Sequence, residues 1–144
     1  MIRLQYPAVV TYIEEDNDYL VEFPDLKGCI TDGETIEQAL FNAKEALTGY
    51  LAVVFERDHS VPEASDLKGD NIYLVEPEPK VSIPIFLRKL RQEQGLSQSD
   101  LAQRLGITYQ VYQRLENTVK SNPTVKTLTK IANAFHKQLH VEII

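Results

Sequence analysis

The sequence predicts an α+β chain of two modules. The first is a small antiparallel sheet with one long helix. The second is an all-α helix-turn-helix module ending in a short strand. Three observations predict this. Two β-rich runs around a polar turn precede a long amphipathic helical pattern. Residues Ser97 to Asn117 read as two short capped helices about a glycine turn. Charge also divides the chain. Residues 1–80 hold 6 Lys+Arg and 17 Asp+Glu, a net of −11, and residues 81–144 hold 9 and 4, a net of +5. With 43% hydrophobic residues in 144, the composition suits globular cores rather than disorder.

The first module opens on Tyr6, Val9, Val10, Tyr12 and Ile13, all β-formers, followed by the polar turn Glu14-Glu15-Asp16-Asn17-Asp18. Tyr19-Leu20-Val21-Glu22-Phe23 alternates large and polar residues, so the two runs predict a hairpin. Pro24 and Gly28 break the strand, Ile30-Thr31 resumes it, and Asp32-Gly33 turns. Thr35 with Gln38 three residues on forms a capping-box pattern. Beyond it Ile36, Leu40, Ala43, Leu47, Tyr50, Leu51 and Val54 recur at helical spacing, a face expected to be buried against the sheet. Residues 59–71 read as loop and Ile72–Val75 as a further strand. The predicted order is β-β-β-α-β, one sheet with a helix on one face.

A boundary falls at Glu76-Pro77-Glu78-Pro79-Lys80, where alternate prolines oppose a helix, and Pro84 punctuates again before a helical pattern at Ile85–Gln94. The modules are therefore expected at 1–78 and 85–144, with a linker at 79–84. In the second, Ser97 caps a helix and Asp100 completes a capping box. Leu101, Ala102 and Leu105 form its apolar face, and Gly106 reverses the chain. Thr108 caps the next helix. Tyr112 and Leu115 point inward there, which leaves Tyr109, Gln110, Gln113 and Arg114 outward. Gln and Arg carry forked donors that read base edges, and a two-helix unit of this kind places one helix in the major groove. After a helix at Val125–Phe135, Gln138–Ile144 alternates apolar and polar residues and is expected to be a strand. Such a strand needs a partner edge, and helix-turn-helix proteins commonly act as two-fold dimers, so a homodimer is expected.

Several function classes are set aside. No apolar run is long enough to span a bilayer, and Met1-Ile2-Arg3-Leu4 lacks the pattern of a signal peptide. With a single cysteine, Cys29, the default compartment is the cytoplasm. Cys29 reads as a buried structural residue, and His59, His136 and His140 are scattered, so no catalytic constellation is expected. Asp16-Asn17-Asp18 lacks the glycine and distant glutamate of a calcium loop. Zinc pairs and phosphate loops are absent from the sequence, so neither a metal nor a cofactor is expected. The basic module suits phosphate, and the acidic one suits a basic protein.

Tyr6-Pro7-Ala8-Val9, Val21 to Cys29 with its Phe-Pro-Asp-Leu-x-Gly-Cys motif, Thr31-Asp32-Gly33-Glu34-Thr35 and Gln38-Ala39 together resemble the HicB antitoxin pattern over about residues 2–78. Residues 82–135 resemble the Cro/C1-type helix-turn-helix domains of phage repressors. The first resemblance implies a partial ribonuclease H-like fold without the enzyme's carboxylates, hence no catalysis. It also implies binding and neutralisation of a HicA-like toxin, a small basic ribonuclease that cleaves messenger RNA. The pairing of the two domains implies repression of the chain's own operon through double-stranded operator DNA.

Residue by residue, the second resemblance implies base reading by Tyr109, Gln110, Gln113 and Arg114 and phosphate contact by Gln98, Asn117, Lys120, Ser121 and Asn122. It also implies a buried structural ion pair between Arg91 and Glu116. Three residues depart from the pattern. Tyr109 replaces a smaller side chain, Thr118 stands where glycine is frequent, and Tyr112 is bulkier than the usual aliphatic. Two other readings remain open at this point: a repressor whose first domain senses a small molecule or another protein, and a ribonuclease H-like hydrolase fused to a DNA reader.

Overall fold

The computed structural model describes residues 3–144. Met1 and Ile2, which begin the expected first module and the stretch inspected for a signal peptide, lie outside the described residues. The chain forms two compact units, Met1–Ser82 and Ile83–Ile144.

In the first unit, β1 (Tyr6–Ile13), β2 (Asp18–Glu22), β3 (Ile30–Gly33) and β4 (Ile72–Val75) form one antiparallel sheet in the order β3-β2-β1-β4. The long helix α1 (Ile36–Glu56) follows β3. The hairpin is closed by Asn17 at φ 50°, a conformation asparagine tolerates, and by the cross-strand pair Tyr12–Tyr19, whose rings meet edge-on at 5.0 Å. Tyr6, Ala8 and Val10, at every second position of β1, are buried, Pro7 between the first two is buried as well, and Val21 lies opposite Val10.

Thr35 caps α1 as expected, its Oγ1 accepting from Gln38 N–H at 3.0 Å, while the Gln38 amide donates onward to Asn42. The buried stripe of α1 is Ala39, Ala43, Leu47, Leu51 and Phe55. Ile36, expected inside, is exposed, and Leu40, Tyr50 and Val54 are half-buried. The stripe is rotated from the expected one because α1 starts in very tight contact with β3. A Cβ on Gly33 would lie 2.6 Å from Ala39 Cα and 2.8 Å from the Gln38 carbonyl carbon. That approach turns small Ala39 toward the sheet in place of Ile36.

The expected linker at 79–84 is corrected: it is the start of α2 (Pro79–Glu93), with Pro84 inside the helix. Pro79 opens the helix, where its missing donor is no loss. The Val81 and Ser82 N–H groups both bond to the Glu78 carbonyl. Glu78 is itself held by Thr48 Oγ1, which accepts its N–H at 3.0 Å, and by Lys44 Nζ at 3.5 Å. Pro77 lies outside the helix and Pro79 at its first position, so the alternate prolines mark its start rather than oppose it. The division between the two units falls within α2.

In the second unit, α3 (Gln98–Leu105), α4 (Tyr109–Leu115) and α5 (Val125–Ala134) complete the helical set. Leu87, Leu101, Leu105, Tyr112, Leu115, Ile131 and Phe135 form its core. The expected strand at 138–144 is also corrected. In the single chain those residues have no regular structure, and Val141, Ile143 and Ile144 are exposed. A strand exists only through ladder hydrogen bonds to a neighbouring strand, and among the described residues the sheet is formed by β1 to β4 alone.

Candidate nucleic-acid interface

The two helices that would face a nucleic acid are set by local chemistry. Ser97 Oγ accepts from Asp100 N–H at 3.0 Å, and Asp100 Oδ2 accepts from Ser97 N–H at 2.9 Å, a complete capping box. These bonds hold the Asp100 carboxyl below its usual range. Gly106 ends α3 at φ 69°, the left-handed region where a side chain would be strained. Thr108 Oγ1 then accepts from Val111 N–H at 3.2 Å and starts α4.

The outer face of α4 presents Tyr109, Gln110, Gln113 and Arg114, all exposed. Gln110 and Arg114 lie one helical turn apart and share a face. Gln113 Nε2 donates to Tyr109 Oη at 3.3 Å, so these two side chains support each other. Beyond α4, Asn117 Oδ1 accepts from both Val119 and Lys120 N–H at 2.9 Å and shapes the loop. Lys120 and Asn122 are exposed, and Asn117 and Ser121 are half-buried. Thr118 is buried, and the left-handed non-glycine residues are Asn17, Asp58 and His136. A glycine is therefore not required at position 118.

Behind this face lies a buried carboxylate. Glu116 has a side chain only 1% exposed, and Arg91 grips it with two bonds, Nε to Oε1 at 2.6 Å and Nη2 to Oε2 at 3.1 Å. The third guanidinium nitrogen of Arg91 donates to the Leu96 carbonyl at 2.8 Å. Tyr112 Oη donates to Glu116 Oε1 and Gln98 Nε2 to Oε2, and Arg88 approaches Oε2 at 3.7 Å. Burial alone would push the Glu116 carboxyl up, but Arg91, Tyr112 and Gln98 together hold it below its ordinary value. The same bonds push the Arg91 guanidinium up, and burial followed by the bond to Glu116 pushes the Tyr112 hydroxyl up.

One carboxylate thus ties α2, α3 and α4 together and sets the angle at which α4 is displayed. The sequence paired Arg91 with Glu116, but it marked Tyr112 only as an inward-pointing residue and Gln98 only as a phosphate contact, not as partners of the same carboxylate. The signal for Tyr112 was present: a tyrosine on a buried face needs a hydroxyl partner, and Glu116 is four residues on. Gln98 Nε2 already serves Glu116, and its second N–H is the donor left for an outside ligand.

The family model described as HicB-like antitoxin of bacterial toxin-antitoxin system matches residues 5–86, and a helix-turn-helix model matches residues 87–140. Antitoxin HicB 1 of Photorhabdus laumondii is 28% identical over 98% of this chain and 88% of its own length. Antitoxin HicB of Escherichia coli K12 is 28% identical over 98% of this chain and all of its own. A chain of a toxin-antitoxin complex from Streptococcus pneumoniae aligns at 26% identity with a TM-score of 0.47, covering 69% of this chain and 94% of that one.

Proposed function

Because the chain belongs to the family of HicB-like antitoxins of bacterial toxin-antitoxin systems, we propose that it neutralises a HicA-like, mRNA-cleaving toxin and represses its own operon. One observation carries this reading: an antitoxin domain with net charge −11 is joined to a helix-turn-helix unit of +5. The first unit attracts a basic ribonuclease and is repelled by DNA. The second is drawn to phosphate. The chain works in the cytoplasm by binding, without catalysis. It acts as a homodimer in which the segment 138–144 gains its strand partner from the second copy, since two half-sites are engaged together.

In the DNA complex, Tyr109, Gln110, Gln113 and Arg114 face the bases, with Gln110 suited to adenine and Arg114 to guanine. Gln98, Asn117, Lys120, Ser121 and Asn122 lie along the phosphates, which position the protein without carrying sequence information. The test is a salt titration on the upstream region of the operon and on a scrambled duplex. Arg114→Ala should weaken operator binding by roughly 1–3 kcal/mol and scrambled binding much less. Lys120→Ala should weaken both alike and lower the salt slope by about one. Equal losses on both duplexes for the two variants would refute the division of roles. Failure of the chain to co-purify with its operon partner and relieve its toxicity would refute the antitoxin reading.

A further inference from the structure

Strand β3 is an edge of the sheet, with β2 on one side only. Phe23 N–H donates to the Cys29 carbonyl at 3.2 Å, one step beyond the Glu22–Ile30 pair. Bonded and non-bonded pairs alternate along an antiparallel ladder. Thr31 therefore bonds to Val21, while Ile30 and Asp32 aim their backbone groups away from β2. Asn42 of α1 agrees with this, since its Nδ2 donates to the Asp32 carbonyl at 2.8 Å. The N–H and C=O of Ile30 and the N–H of Asp32 remain on the outer edge.

At the start of that edge lies a groove of about 580 Å³ between residues 28–30 and α1, lined by Cys29, Ile30, Ala46, Gly49, Tyr50 and Val53. Ile30 is 57% exposed and Val53 45% exposed, whereas Cys29 is buried. Gly49 lies inside a 21-residue helix, where glycine costs roughly 0.5–1 kcal/mol relative to alanine. A Cβ at Gly49 would meet nothing within 4 Å, so no contact inside the chain calls for glycine there. The opening it leaves is available to something from outside.

We propose that an extended segment of the toxin lies along β3 as a fifth strand and places alternate side chains in this groove. The proposal rests on the antitoxin reading and names the surface that serves it. Edge addition draws affinity from main-chain bonds and specificity from pockets for every second side chain. Charge selects the occupant. Asp32 and Glu34 are exposed at one end of the edge and Glu45 lines the groove, within a unit of net charge −11. A basic segment is attracted there. A second copy would bring another unit of net charge −11 to this acidic edge, and like charge opposes that approach. Arg57 and His59 line the other end, so the groove is polarised and fixes one direction for the bound strand.

The test uses the full chain and the product of the neighbouring gene, taken as the toxin. Gly49→Leu fills the groove, and Ile30→Pro removes one outward N–H at an edge position, where proline is tolerated. Each should weaken the toxin complex by about 30-fold or more, the size of a hot-spot loss, while operator binding stays unchanged. In the wild-type complex the Ile30 and Asp32 amides should gain protection from hydrogen exchange. This second readout stands even if a variant fails to fold. Toxin binding by both variants at wild-type affinity, or edge amides exchanging equally fast with and without toxin, overturns the proposal. So does a Gly49→Leu chain that loses self-association yet still holds the toxin, which would assign the groove to a second copy. If the wild-type chain does not bind the toxin at all, the antitoxin reading fails and the groove proposal falls with it.

Discussion

The two units solve the packing problem by opposite means. In the first, a 21-residue helix lies on a four-stranded sheet, and the buried side chains are largely apolar, with the Tyr6 hydroxyl donating to the Pro62 carbonyl. Its precision comes from close approach, as where Gly33 admits the start of α1. The second is built on helices of 8, 7 and 10 residues after α2, too short to define their own angles by apolar contact alone. It places a charge at its centre, and Glu116 and Thr118, the buried polar residues among the described ones, both belong to it. The lesson is that side-chain hydrogen bonds centred on one carboxylate join the short helices of the second unit, while close apolar contact seats the long helix of the first on its sheet.

The largest expected effect tests the charged centre. Glu116→Ala strands a buried guanidinium and should destabilise the second unit by about 3–5 kcal/mol. Amide exchange followed separately in each unit should show the loss in Ile83–Ile144. A loss of under about 1 kcal/mol would mean that the pair behaves as a surface one. The effect also has a pH signature. The folded Glu116 pKa lies below its ordinary value of 4.5, so its stabilisation is fully present above that value. It is lost as pH falls through the folded pKa. Glu116→Gln should flatten this acid limb in the second unit and leave the first unit's acid response unchanged.

The next effect tests shape in the first unit. Gly33→Ala forces a Cβ against the backbone of Gln38 and Ala39, which cannot swing away as a side chain could. A cost of about 1–3 kcal/mol is expected, confined to Met1–Ser82 and read by the same exchange measurement. The smallest effect has the opposite sign. Gly49→Ala, in open space on the same helix, should stabilise that unit by about 0.5–1 kcal/mol. If both glycine replacements acted alike, the contrast between a glycine required by contact and one free of it would collapse.

The features legible in the sequence are those whose partners lie within a few residues. The Ser97–Asp100 box, the Thr35 and Thr108 caps, the left-handed Gly106 and the hairpin about Asn17 each close a bond or a turn over at most five positions. A short loop leaves the chain few alternatives, so composition at those positions determined the outcome. The HicB-like motif carried the family in the same way, as a contiguous string.

What tertiary structure alone decided depends on residues far apart. Thr48 and Lys44 of α1 hold Glu78, from which α2 departs and then continues through Pro84. Contact with Gly33 chose Ala39 over Ile36 for the buried stripe. Gln98 and Tyr112 met on Glu116 because three helices converge there. The terminal segment stayed without regular structure because a strand's hydrogen bonds must come from a neighbour, and apolar alternation in one chain cannot provide that neighbour.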